Sequence, residues 1–274
     1  MKTDGPEEPD ILRRVVSPIN DPAIRQHLNR IKADQFAFVG NNFSSRERVS
    51  KIETFTNQFT KFADYFLSGL NDFKHIYLLS GNSEYINTVF SLAPEINFFE
   101  NDYRYYKIAS QTYRKSKSPA GEFIMSYPSR QNGTTENLVN AKENKSPRRH
   151  LDVAYLALTN NPNLVNVSEF QTVGITLSKT FAIPFNRFSL MFSKEKIPHF
   201  DVLQNIGYCN LSAVEIAREL LDIVTPEFWI KKYWNSYINL CREYKLSPSN
   251  CLLFAYNANG QRVSTSELFS EKIL

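Results

Sequence analysis

Cysteine is scarce. Cys209, Cys241 and Cys251 are the whole complement of a 274-residue chain, and no two of them stand at a metal-ligand spacing. That argues against a disulfide scaffold or a zinc module and fits a reducing compartment. Glycine is also scarce, at 9 residues, and no internal repeat or low-complexity tract appears. No apolar run is long enough to cross a bilayer. The opening residues Met1–Glu8 have no apolar core of the kind a secretory signal needs. A net charge of +4 is too mild to demand nucleic acid, even where Tyr103–Lys117 interleaves bases and aromatics. The four histidines, His27, His75, His150 and His199, read as structural or exposed, and no metal cluster or Ser/His/Asp arrangement stands out. The expectation is a soluble cytoplasmic protein with no membrane partner.

What is present is enough for a folded core: 42% hydrophobic, 22% charged and 14% aromatic residues. That length makes one large domain or two small ones. Residues 1–10 read as a polar tail, with a short helix near Pro22–Ile31 and a turn at Gly40–Asn42. From Ser45 the apolar residues Val49, Ile52, Phe55, Phe59, Phe62, Phe66 and Leu70 recur at three- and four-residue steps, which predicts one helix face. Strands are expected at 75–79, 96–99, 122–126, 150–155, 172–177 and 187–192. Helices are expected at 84–92 and 103–112, with a helical turn at 137–142. After Lys194 helices follow at 198–206, 211–223 and 226–244, then a strand at 252–256 and a short helix at 265–272. Strands alternating with helices predict an α/β layer fold around a mostly parallel sheet. Ligands in such sheets bind outside the carboxyl ends of the strands.

The chemistry-bearing residues fall at those ends. Thr176-Leu177-Ser178-Lys179 lies between two strands, with Arg187 eight residues beyond the lysine. A strand-end lysine is ordinarily a surface residue, but one held where its amine is neutral can form a Schiff base. Hydroxyls and a guanidinium beside it suit a phosphate. Ser80-Gly81-Asn82-Ser83 follows a strand and opens a helix, where unpaired amides favour an anion. Asp152, 27 residues before Lys179, can hold a proton on a pyridine nitrogen, and Tyr155 can donate to a ring oxygen. Tyr103 can stack on a ring. Together these are the parts a pyridoxal 5'-phosphate (PLP) site needs.

In this order the residues resemble fold-type I PLP enzymes of the class I/II aminotransferase family, in the histidinol-phosphate aminotransferase-like branch. The matching stretches are Leu79–Glu84, Asn101–Tyr103, Pro128–Gly133, Asp152-x-Ala154-Tyr155 and Thr176–Lys179 with Arg187, spread over roughly residues 76–250. The resemblance implies a three-layer PLP-dependent transferase-like fold: an N-terminal arm (1–45), a PLP-binding large domain (46–195) and a small, reduced α+β part (196–274). It implies Lys179 as Schiff base and proton carrier, with Asp152 and Tyr155 on the ring. Gly81, Asn82, Ser83, Thr176, Ser178 and Arg187 would bind phosphate, and Tyr103 would stack. It also implies a homodimer with a small amine or amino-acid substrate.

Three departures stand beside the match. The family's Asn-Pro-Thr-Gly loop reads Arg130-Gln131-Asn132-Gly133 here, so Arg130 takes the asparagine's place unless Asn132 serves instead. Ala182-Ile183-Pro184-Phe185 replaces the glycines usual after the lysine. Arg262 stands too early to match the family's arginine for the substrate carboxylate, which makes Arg130 the first candidate for that role. The expected activity is aminotransfer. Decarboxylation, cyclisation or elimination on the same scaffold is the alternative, as is a non-catalytic subunit that keeps the fold.

Overall fold

The computed structural model describes residues 18–38, 43–130, 133–135, 146–160, 165–183, 187–266 and 269, and the side chains of helix α1 as far as Ile31. Helix α1 (Pro22–Phe38) begins behind Asp21, whose carboxylate accepts from the amides of Ala23 and Ile24 at 2.8 and 3.0 Å. That is an N-cap. Helix α2 (Ser45–Asp64) opens with a capping box, in which Ser44 and Glu47 each satisfy the other's backbone amide. It buries Ile52, Phe55, Phe59 and Phe62 along one face.

The helical spacing runs on to Leu70, yet the helix stops at Asp64. Strand β1 (Leu67–Ser68) follows and pairs in parallel with β6 (Val165–Asn166). The Phe66 and Ser68 carbonyls accept from Val165 and Val167 at 3.0 and 2.8 Å. Phe66 and Leu70 are still buried, Phe66 from a turn and Leu70 from a short 3-10 segment at Leu70–Asp72. Tertiary pairing has overridden a periodicity that the local sequence continues.

The central sheet has six strands: β2 (His75–Leu79), β3 (Ile96–Asn97), β4 (Glu122–Ser126), β5 (Arg149–Asp152), β7 (Thr172–Ile175) and β8 (Ser189–Ser193). Their order is β2-β8-β7-β5-β4-β3. Only β8 runs against its neighbours, antiparallel to both β2 and β7. The other five therefore point the same way. Helix α3 (Asn82–Leu92) follows β2, and α4 (Arg104–Thr112) follows β3.

Side chains alternate across the strands and feed two cores. Phe123, Met125, Leu190 and Phe192 join the core beneath α2, together with α6 (Leu211–Leu221) and α7 (Phe228–Glu243). Ile124 and Met191 face the other way, into a core with α3, α4 and α5 (Pro198–Asn205). The result is three layers, helices on both faces of a mixed, mostly parallel sheet. A small antiparallel sheet of β9 (Ser247–Pro248), β10 (Phe254–Tyr256) and β11 (Arg262–Ser264) follows, in the order β11-β10-β9.

Three strands end earlier than the residue pattern predicts: β3 at Asn97, and two more, β5 and β7, in local turns at the carboxyl edge of the sheet. Strand β5 stops at Asp152 because its carboxylate accepts from the Ala154 amide at 3.1 Å, a local turn that leads into a 3-10 segment at Leu156–Leu158. Strand β7 stops at Ile175, where the Thr176 hydroxyl accepts from the Ser178 amide at 3.2 Å. The turn at 40–42, the helical turn at 137–142 and most of the 265–272 helix lie outside the described residues.

Candidate active site

Five of the sheet's strands deliver their carboxyl ends to one edge, and the singled-out residues gather there. Register sets the centre. Ser126, Asp152 and Gly174 lie side by side on β4, β5 and β7. Strand β7 can carry no side chain at that point. A Cβ on Gly174 would stand 2.2 Å from the Tyr85 ring, which packs directly onto the backbone.

Asp152 is fully buried and densely bonded. One oxygen accepts from Asn82 Nδ2 at 2.6 Å and from the Ala154 amide at 3.1 Å. The other accepts from Arg130 Nη1 at 2.8 Å and from the Tyr106 hydroxyl at 3.4 Å. Asn82 also donates to the Gly174 carbonyl at 3.2 Å, while its own oxygen is buried with no partner among the described residues. Asn82 therefore turns its side chain to the buried carboxylate.

Arg130 is only 9% exposed. Its guanidinium lies 3.7 Å from the centre of the Tyr103 ring and 5.5 Å from that of Tyr155. Burial opposes its charge, but Asp152 and the two tyrosines more than offset this and raise its pKa well above the ordinary value. Tyr155 is buried, which pushes its hydroxyl up against the opposing charge of Arg130. Beneath Arg130 a second carboxylate sets the loop. Asp102 accepts from the Ser126 hydroxyl, and from the Ser126 amide at 3.0 Å. Ser126 Oγ in turn accepts from the Arg130 amide at 2.8 Å. Burial raises the Asp102 pKa to about 6.

The turn that opens α3 is built on Gly81, whose φ of +121° is a conformation few side chains tolerate. A Cβ there would also come within 3.0 Å of Arg187 Nε. Arg187 rests against this turn and donates to Ser83 Oγ at 3.0 Å. The Asn82 and Ser83 amides, which open α3, lie at the same place, whereas the Glu84 amide already donates to the Gly81 carbonyl at 2.9 Å. Thr176 and Ser178 sit at the adjoining turn with their hydroxyls 3.0 Å apart. Both donate toward the Phe188 carbonyl, at 2.5 and 3.4 Å. A cavity of about 410 Å³ opens beside Arg187, lined by Ser80, Glu84, Phe200, Tyr208 and Asn210 among others. Its lining does not include Lys179, Asp152 or Tyr103.

Lys179 is half-buried on the turn after β7. Burial lowers its pKa to about 8, with the charges of Arg130 and Arg187 adding to the effect. At pH 7 about one such amine in ten is neutral, against about one in three thousand for an ordinary lysine. Ala182, three residues on, holds φ +54° without being glycine.

The structure thus gathers Lys179, Asp152, Tyr155, Tyr103, Arg130, Gly81, Asn82, Ser83, Thr176, Ser178 and Arg187 at one edge of the sheet. Asn132 lies outside the described residues. Tyr106 and Asp102 were not singled out from the residues. Tyr106 is one helical turn beyond Tyr103 in a tyrosine-rich run, a signal that could have marked it.

No family model matches the chain, and no curated protein matches its sequence. Solved structures do match. Histidinol-phosphate aminotransferase from Clostridium acetobutylicum superposes with a TM-score of 0.58 at 16% identity, over 89% of this chain and 81% of that one. L-threonine-O-3-phosphate decarboxylase from Porphyromonas gingivalis gives 0.62 at 12% identity, over 88% and 80%. Substrate-bound BacF from Bacillus subtilis gives 0.64 at 15% identity, over 90% and 74%. The chain therefore has the three-layer fold of fold-type I PLP-dependent enzymes. At these identities the likeness speaks for the fold, and function has to be argued from the site.

Proposed function

We propose that the chain is a PLP-dependent enzyme acting on a small amine or amino acid, with aminotransfer as the reaction. The observation that carries this reading is the convergence, at one sheet edge, of the half-buried Lys179, a buried, four-times-bonded carboxylate and an arginine on a glycine turn; burial of the lysine lowers its pKa in keeping with it. The donor set fits the cofactor. The Ser83 hydroxyl, Arg187 and the amides of Asn82 and Ser83 would bind its phosphate. Asp152, braced by Asn82 and Tyr106, would keep the ring nitrogen protonated. Tyr103 offers a ring face, and Lys179 Nζ the covalent attachment.

When bound, PLP supplies an electron sink for the carbon next to the substrate nitrogen. Lys179 Nζ, close to neutral pH in its proton affinity, can take the proton from that carbon and give it back. Tyr155 donates from a hydroxyl that stays protonated throughout. Arg130 is the cation we assign to a substrate carboxylate. The Arg130–Asp152 ion pair favours a second reading, in which the chain keeps the fold as a non-catalytic subunit.

The visible spectrum with added PLP tests both. Wild-type protein is expected to develop the absorbance of lysine-bound PLP, and Lys179→Ala to lose it. No such band in the wild type, nor in variants that remove the Arg130 charge, would remove the enzyme reading and leave the second. If the band is present, amines that convert the cofactor to its pyridoxamine form separate aminotransfer from the other chemistries.

A further inference from the structure

Arg130 makes the contacts that a pyridinium ring would make. Its guanidinium is planar and cationic, it donates an N–H to Asp152 at 2.8 Å, and its central carbon lies over the Tyr103 ring, 3.7 Å from the ring centre. A pyridinium is likewise planar, cationic and an N–H donor. We propose that Arg130 is a built-in occupant of the cofactor ring's slot, so that PLP enters only when this side chain leaves Asp152 and Tyr103. The inference rests on the PLP reading above.

Two observations make the occupant exchangeable rather than permanent. The fit is incomplete, because Arg130 Nε is buried with no partner among the described residues. Asp152, by contrast, keeps Asn82 Nδ2, the Ala154 amide and the Tyr106 hydroxyl when the guanidinium departs. The carboxylate is thus held ready for a new cation instead of being stranded. Lys179 stands under the field of the same guanidinium. Movement of Arg130 would therefore reach the attachment point as well as the ring slot.

A two-state slot lowers apparent affinity by the fraction of molecules that are open. Arg130→Asn restores the residue type that the resembling family carries at this place, and Arg130→Met keeps an apolar stem without the charge. Both are compared with wild type by PLP titration and by stopped-flow uptake, with circular dichroism confirming that each is folded. The variants are expected to bind PLP at least about tenfold more tightly. Wild-type uptake is expected to level off at high PLP, at the rate of slot opening, while uptake by the variants keeps rising with concentration. The wild-type measurement is repeated with pyridoxamine 5'-phosphate, which has the same ring but forms no bond to Lys179, so that levelling-off there reports slot opening and not the chemical step, even if both substitutions fail to fold. Equal affinity with uptake that rises linearly in all three proteins would overturn the occupant. No PLP absorbance in any of them, variants included, would instead overturn the PLP reading and the occupant with it.

Discussion

Replacing Lys179 by methionine should make the cofactor-free protein more stable, and the gain should disappear at high pH. The structure lowers the lysine's pKa from 10.5 to about 8, by burial first and then by Arg130 and Arg187. At about 1.4 kcal/mol per unit, a shift of that size is worth at most about 3.5 kcal/mol. The amine is half-buried, so water screens part of it, and about 1–2 kcal/mol is the expected gain at pH 7. The folded chain releases this proton near pH 8, whereas the unfolded chain keeps it to about 10.4. The cost of the charged lysine is therefore complete below pH 8 and fades as pH rises through that window. Urea denaturation of both proteins at pH 7, 9 and 10.5, followed by far-UV circular dichroism, reads the difference. A variant no more stable at pH 7 would refute the reasoning. So would a gain that persists unchanged to pH 10.5, since that would come from packing and not from charge.

Two further substitutions test the backbone around the site. Ala182→Gly relieves a left-handed conformation that costs alanine about 1–2 kcal/mol, offset in part by glycine's greater freedom when unfolded; thermal melting should show a net gain of about 0.5–1 kcal/mol. Gly174→Ala drives a methyl into the Tyr85 ring on a central strand and should cost about 3 kcal/mol, with PLP uptake impaired alongside; an alanine variant as stable as wild type would contradict the packing described for β7.

The layered α/β class was legible in the residues because strands and helices have different apolar periods, and both show here. Lys179, Asp152 and Arg187 were legible because strand-end positions and their chemistry can be read in order along the chain. The end of α2 was not: the apolar spacing of Phe66 and Leu70 is the same whether a continued helix or a turn and a short 3-10 segment buries them, and only the distant partner β6 chose the latter. Asp102 was missed for a related reason, since a carboxylate in a tyrosine-rich run looks solvated until Ser126 is brought against it from another strand.

Arg130 shows the division most clearly. Its departure from the family's asparagine was plain in the sequence, and with it a basic group near the site. Where that group would point was not, because a side chain's direction depends on what lies opposite it. Asp152 comes from β5 and Tyr103 from the segment before α4, 22 residues after and 27 residues before Arg130. The sequence by itself determined the fold class and the chemical parts of the site. Only the tertiary structure, by closing those separations to a 2.8 Å hydrogen bond and a 3.7 Å approach to the ring, decided that the arginine lies between them.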